Sequence, residues 1–209
     1  MRDTITIRPA VPEDGPLAAD LIFSTGPDLF DFVFYRNKQK NLELISRLFA
    51  GDTNSFSHCC AHIAELDGRT AGLIHVVDSE EKKRGNRTLA GSLVKQMGWF
   101  AFLIRTHRFL IADRLIPEIG ENIYYIQHLA ALEAFRRRGV GRSMLAFCEQ
   151  EAIDRQLGSL MLDVECTNKN AISLYRSFGF AVTRKIDSRV LRRKYEFGGL
   201  YRMVKEIKR

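Results

Sequence analysis

The sequence predicts one mixed α/β domain: a central sheet of six to seven strands flanked by helices. Three observations carry this expectation. Period-two and period-3.6 apolar patterns alternate along the chain. No linker, internal repeat or low-complexity segment divides it. Its 209 residues suffice for one well-cored domain, 1–209, and are rather short for two. A 45% apolar and 27% charged composition excludes a disordered chain.

The elements follow in order. Residues 4–8 alternate as a half-buried strand does. Pro12-Glu13-Asp14 then opens a helix, with proline in the first turn and carboxylates at the positive end of the dipole. That helix runs to about Phe23 and stops before Gly26-Pro27, and residues 41–49 form a second. Phe30, Phe32, Phe34 and Tyr35, between them, make an aromatic cluster for the core or a pocket lining. Strands 57–66 and 70–77 flank Asp67-Gly68, a pair suited to the positive dihedrals of a tight hairpin turn.

Residues 79–121 break this rhythm and read as a helical insert between the third and fourth strands. Within it, 80–86 is expected as a charged, exposed connection and 93–115 as one long apolar helix closed by Pro117. A strand at 124–132, a helix at 143–156 and a short strand at 159–164 follow, with Cys148 buried in the helix. Residues 170–177 form a helix halted by Gly179, and 180–186 and 200–207 are the last strands.

The net charge of +7 invites either an anionic partner or a plain solvated surface. No nucleic-acid-binding motif accompanies it, so a nucleic acid is not expected. Cys59, Cys60, Cys148 and Cys166 form no CxxC pair, zinc spacing or disulfide framework. They read as reduced thiols of a cytoplasmic protein, with no metal site. No secretory leader pattern opens the chain, and the longest apolar run falls far short of the roughly 20 residues of a membrane span.

The chemistry concentrates after the 124–132 strand. Glu133-Ala134-Phe135 leads into Arg136-Arg137-Arg138-Gly139-Val140-Gly141-Arg142-Ser143 and then a helix. The glycines let backbone approach a ligand, and the free first-turn amides point at it. With about half a positive charge from the helix dipole, this is a pyrophosphate cradle. A P-loop would need Gly-Lys-Ser/Thr where Gly141-Arg142-Ser143 stands. A dinucleotide fingerprint would need glycine or alanine at Met144.

Residues 168–180 supply a second motif, Asn-Lys-Asn-Ala-Ile-Ser-Leu-Tyr-Arg-Ser-Phe-Gly-Phe. The loop matches the Arg/Gln-x-x-Gly-x-Gly/Ala signature of the GNAT N-acetyltransferase superfamily. The later segment matches that superfamily's Asn-x-x-Ala-x-x-Leu-Tyr-x-x-x-Gly-Phe pattern. Ile5-Thr6-Ile7-Arg8-Pro9-Ala10 and Leu200-Tyr201-Arg202-Met203 resemble its first and last strands. The chain is thus similar to GNAT proteins throughout, apart from residues 79–121.

The resemblance implies a GNAT-like sheet splayed at the cofactor site, with acetyl-CoA as cosubstrate and no metal. It assigns the pantetheine amides to the backbone of Leu129, Ala130 and Ala131. The pyrophosphate falls to Arg136, Arg137, Arg138, Gly139, Val140, Gly141, Arg142 and Ser143. Asn168 would reach the pantetheine arm, and Ala171 would leave room for it beside Tyr175. The implied reaction is direct attack of a neutral amine on the thioester. Tyr175 is then the candidate acid for the leaving thiolate. Its reference pKa is about 10, against about 8.5 for a thiol, and positioned acid catalysis is typically worth about 10²- to 10⁴-fold.

Family members often carry a basic Glu or His at positions matching Tyr125 and Gln127. These two are therefore the remaining candidate catalytic residues, Gln127 as the holder of a relay water. Strand alternation places His128 on the opposite face, as a buried histidine. His107 and Asp113 of the insert are further candidate bases. The expected function is N-acetylation of a primary amine on a small molecule, peptide or protein. The alternative is a catalytically weak acyl-CoA sensor of the same fold. The apolar insert could cover a substrate pocket, make a homodimer contact, lie on a membrane surface or add a helical layer.

Overall fold

The computed structural model describes residues 4–113, 119–194 and 197–207. Its strands are β1 (Ile5–Pro9), β2 (Ala61–Leu66), β3 (Arg69–Val77), β4 (Ile123–Ala131), β5 (Ser159–Glu165), β6 (Ala181–Ile186) and β7 (Leu200–Glu206). They form one sheet in the order β1-β2-β3-β4-β5-β7-β6. Every neighbouring pair is antiparallel except β4 with β5. The β2–β3 turn is the expected one: Asp67 and Gly68 sit at φ 52° and 75°, both left-handed as a type I′ turn requires.

The helices are α1 (Gly15–Ser24), α2 (Pro27–Val33), α3 (Lys38–Phe49), α4 (Ser79–Met97), α5 (Trp99–Asp113), α6 (Val140–Asp154), α7 (Lys169–Ser177) and α8 (Arg189–Lys194). Two cores lie on opposite faces of the sheet. On one, Ala18, Ile22, Ile45, Leu48 and Phe49 of α1 and α3 pack with Phe30 and Phe32 of α2 against Ile63, Leu73 and Ala130. On the other, Met144, Leu145 and Cys148 of α6 pack with Ile172 and Tyr175 of α7 against Ile74, Val76, Tyr124 and Ile126. The sequence did not suggest α2 or α8 as helices. Both are short, and α2 starts on a proline after Gly26.

The insert between β3 and β4 is helical but differs in detail from expectation. The Asp78 carboxylate accepts the Glu81 amide at 2.8 Å and the Glu81 carboxylate accepts the Asp78 amide at 2.9 Å. This capping box starts α4 at Ser79, so residues 80–86 are helix rather than connection. Gly98, at φ 83°, then ends α4, so 93–115 is two helices and not one. The expected stop at Leu115 and Pro117 lies outside the described residues.

α5 inverts the usual amphipathic arrangement. Trp99, Phe100, Leu103, Ile104 and Leu110 are exposed. On the inner side, Arg105 Nε donates to the Phe34 carbonyl at 2.6 Å and Arg108 Nη1 to the Phe32 carbonyl at 3.3 Å. These arginines donate to carbonyls at the end of α2, where helical donors run out. Phe102 and Phe109 pack beneath, with Phe109 and Phe34 ring centroids 6.0 Å apart. No helix among the described residues is long and apolar enough to cross a membrane.

Candidate active site

The site is built around β4. Its pairing with β5 runs only from Ile123↔Ser159 to Ile126↔Leu162, although β4 continues to Ala131 and β5 to Glu165. The two strands splay beyond that point, and residues 127–131 keep a β5-side edge without a strand partner. On its other side, β4 pairs with β3 by His75↔His128 and then Val76↔Ile126, so Gln127 is an extra, bulged residue.

The bulge changes which side chains share a face. Tyr125 pairs across from Val77, and His128 from His75. Residues 75 and 77 of β3 lie on one face by alternation, so His128 shares the α1–α2 face with Tyr125. The expected opposition of these two fails because one inserted residue shifts the phase of everything after it. Gln127 Nε2 donates to the Ser55 carbonyl at 3.2 Å.

Below the bulge the proton positions follow from the hydrogen bonds. Thr25 Oγ1 donates its one proton to the Ile22 carbonyl at 2.7 Å, so its 2.9 Å bond to His128 Nδ1 is accepted from an Nδ1–H. His75 Nε2 lies 3.2 Å from the Ser57 carbonyl, which can only accept, and therefore carries the hydrogen. Both rings thus present a lone pair, at His128 Nε2 and His75 Nδ1. Those two atoms and Gln127 Oε1 are buried without a hydrogen-bond partner among the described residues. Burial pushes His75 down to about 4. Burial, then the neighbouring His75, pushes His128 down to about 3.

Tyr125 is engaged elsewhere. Its hydroxyl donates to Asp163 Oδ2 at 3.0 Å, and Arg202 grips the same carboxylate through Nε at 2.9 Å and Nη2 at 2.7 Å. Burial and then the Asp163 charge hold the Tyr125 hydroxyl well above its ordinary pKa. Asp163 on β5 and Arg202 on β7 pair directly across the sheet, as do His75 and His128. Sequence reading did not single out His75, Asp163 or Arg202, because each acquires its role from a partner in another strand. A lone aspartate in the apolar run Leu-Met-Leu-Asp-Val was the one available signal.

The basic loop leads into α6. Gly139, at φ 87°, is the left-handed residue before its first turn, and no side chain caps that turn. The first helical bond runs from the Ser143 amide to the Gly139 carbonyl at 2.9 Å, so the preceding amides have no intrahelical acceptor. Arg136, Arg137, Arg138 and Arg142 are exposed around them. Val140 is buried beneath, and Arg142 lies over the Phe178 ring at 5.7 Å.

α7 brings in the second motif. Asn168 is its N-cap, its Oδ1 accepting the Ala171 amide at 3.1 Å, which explains the asparagine locally. Tyr175 is 7% exposed, packs on Phe180 at 5.9 Å, and shares its core with Leu129, Ala131 and Ile172. Its hydroxyl has no hydrogen-bond partner among the described residues, and burial pushes it up to about 12. His107 and Asp113 are exposed on α5.

The site thus joins a splayed parallel pair, an uncapped helix start and a buried tyrosine on the following helix, in a mixed α/β fold. The Acetyltransferase (GNAT) family model matches residues 28–180, and the chain belongs to that family. Among solved structures it is similar to an acetyltransferase at 24% identity and TM-score 0.68, covering 97% of this chain and 100% of the other. An N-acetyltransferase from Staphylococcus aureus Mu50 aligns at 18% identity and TM-score 0.67, covering 95% and 99%. PaiA N-acetyltransferase from Thermoplasma acidophilum, in complex with coenzyme A, aligns at 16% and TM-score 0.51, covering 97% and 99%. At these identities the likeness is one of fold. No curated protein matches the chain.

Proposed function

We propose that this acetyltransferase moves an acetyl group from acetyl-CoA directly to a primary amine of a small molecule, peptide or protein. The observation that carries this reading is the unpartnered β4 edge at residues 127–131, leading to the free amides of α6. Coenzyme A has the two matching chemistries, amides along its arm and a pyrophosphate at its end. The coenzyme A complex of a protein of the same fold supports this choice of donor. The four free cysteines fit a reducing compartment such as the cytoplasm.

In this reading the backbone of Leu129, Ala130 and Ala131 pairs with the arm as an added strand would. The amides from Arg137 through Arg142 and the exposed arginines hold the pyrophosphate, with Ser143 close to it, its own amide being spent on the Gly139 carbonyl. Asn168 offers its Nδ2, since Oδ1 is spent on the cap, and Ala171 leaves space.

The amine nitrogen attacks the thioester carbon, the C–S bond breaks, and one proton must leave nitrogen while another reaches sulfur. Two of the acceptors Gln127 Oε1, His75 Nδ1 and His128 Nε2 take the two hydrogens of a water, whose oxygen receives the nitrogen's proton and passes it on to solvent. With His128 at about 3, the imidazole is an orienting acceptor rather than a resting proton store. Tyr175 stays protonated and donates to the sulfur as negative charge develops there. A high hydroxyl pKa keeps the proton available but makes full transfer uphill. Tyr175 then regains its proton from solvent, which receives the proton released by the nitrogen through the water, so that one proton leaves nitrogen for each one delivered to sulfur. Tyr125, held by Asp163, forms a fixed wall of the same face.

The test is acetyl-CoA-dependent thiol release against amino acids, polyamines, aminoglycosides and peptide N-termini. Tyr175→Phe is expected to lower kcat about 10²- to 10⁴-fold with little change in the KM for acetyl-CoA. An unaltered rate would remove Tyr175 from the mechanism. Acetyl-CoA that binds but is consumed with no acceptor would favour the sensor.

A further inference from the structure

We infer that Asp52, His58 and Cys59 form a binding site for a borderline-soft divalent cation such as Zn²⁺, separate from the acyl-transfer machinery. α3 ends at Phe49, and the chain returns through residues 50–57 to a 3-10 turn, His58–Cys60. Buried Asn54 braces this return. Its Nδ2 donates to the Leu48 carbonyl at 2.8 Å, its Oδ1 accepts the Phe56 amide at 2.8 Å, and its carbonyl accepts the Ser57 amide at 2.9 Å. Ser57 Oγ then accepts the Cys59 amide at 3.1 Å and sets the turn.

This scaffold brings Asp52 Oδ1 to 4.0 Å and Cys59 Sγ to 3.7 Å from His58 Nε2. All three donor atoms lie within 4.8 Å of one another. The other ring nitrogen, Nδ1, is 3.2 Å from the Phe49 carbonyl. A carbonyl only accepts, so Nδ1 carries a hydrogen, and the ring turns Nε2 toward the carboxylate and thiol, where its lone pair is the one available to a cation.

That arrangement separates a cation site from a nucleophile relay. In a relay the nucleophile and the carboxylate engage opposite nitrogens of the histidine. Here both face the same nitrogen, while a backbone carbonyl orients the ring from behind, as metal-bound histidines require. Tetrahedral zinc bond lengths put nitrogen about 3.6 Å from sulfur and about 3.4 Å from oxygen. The observed spacings reach those edges with small side-chain adjustments.

One nitrogen, one oxygen and one sulfur donor suit zinc rather than magnesium or calcium, which take oxygen sets. The His58 side chain is 14% exposed and Asp52 81%, so the site opens to solvent on the Asp52 side, where a fourth ligand would be water. Cysteine spacing alone predicts no metal, because this site uses one cysteine and draws its oxygen from the α3–β2 connection. The same segment carries the Ser55 and Ser57 carbonyls that hold Gln127 and His75. A cation there would clamp the wall behind those two residues.

The test titrates the chelator-stripped full chain with Co²⁺ and then Zn²⁺. One equivalent of Co²⁺ is expected, with a sulfur-to-cobalt charge-transfer band and tetrahedral visible bands, both lost on adding Zn²⁺. Zn²⁺ should protect one thiol from a thiol reagent, and its affinity should fall with pH because the bound thiol must be deprotonated. Cys59→Ser should abolish the charge-transfer band, and Cys60→Ser should keep it. Asp52→Asn, at the exposed edge, should weaken binding about tenfold or more. No stoichiometric binding, a cobalt spectrum without the sulfur band, a band that survives Cys59→Ser, or unchanged affinity in Asp52→Asn would overturn the site.

Discussion

His75 and His128 remain neutral because an imidazolium in their surroundings would lose its water without gaining a counter-charge. Their pKa values of about 4 and about 3 compare with an ordinary value of about 6.5. Between those limits the unfolded chain binds more protons than the native one, so stability rises with pH there. The contribution is complete above about pH 6.5 and is lost as pH falls through the two folded values. His62, lowered by burial, acts in the same direction. Melting temperature should therefore drop between pH 7.5 and pH 5, by an amount equivalent to a few kcal/mol. The slope should be visibly shallower in the His75→Gln/His128→Gln double variant. Equal slopes in the two proteins would place the acid sensitivity elsewhere. At this scale the sequence was legible only where a residue belonged to a linear motif. Tyr175 was readable from its place before Gly179-Phe180. Asp163, Arg202 and His75 were not, since a cross-strand partner leaves no mark in its neighbour's vicinity.

Among elements, strands and turns were read most faithfully, because two-residue alternation and glycine chemistry are local. Asp67-Gly68 and Gly179, at φ 98°, adopt the left-handed backbone their positions imply. The β4 bulge was not legible: Gln127 looks like any alternating strand residue, and only pairing with β3 shows it to be extra. The insert was half legible. Its charge density hid a capping box that Asp78 and Glu81, three residues apart, could have signalled. The turn before α6 gives a test at this scale. Gly139→Ala forces a side chain into the left-handed region and should cost about 1–2 kcal/mol, or about 2–8 °C in melting temperature. It should also weaken acetyl-CoA binding by shifting the free amides. Gly141→Ala sits at a helical φ, and its new methyl would meet the terminal Leu174 Cδ2 at 2.9 Å, so its cost should be smaller. Equal effects on stability would argue against this account of Gly139.

On the scale of the molecule, the sheet separates two cores, and the described residues of the insert pack mainly on one of them, with Glu81 also reaching Arg155 at the end of α6. α4 packs on β3, β4 and α3, whereas α5 reaches the body mainly through α2 and α4. The order of layers was readable from the alternation of patterns. The outward turn of α5 was not, because a pattern of apolar residues gives no sign that arginines will face inward. Attachment through Arg105 and Arg108 has a kinetic consequence. No α5 residue is fully buried, and hydrogen bonds to two carbonyls are readily exchanged for bonds to water. α5 should therefore detach in excursions far cheaper than global unfolding. In native-state hydrogen exchange its amides should trade deuterium well ahead of those of β3, β4 and α6, and Arg105→Ala should accelerate α5 and α2 together. Protection in α5 equal to that of the central strands would contradict this. Phe30 and Phe34 of that region lie beside Phe56 and His128, so each excursion would briefly admit solvent to the aromatic wall over the histidines. The arginines that fasten the helix thereby set how often the interior breathes.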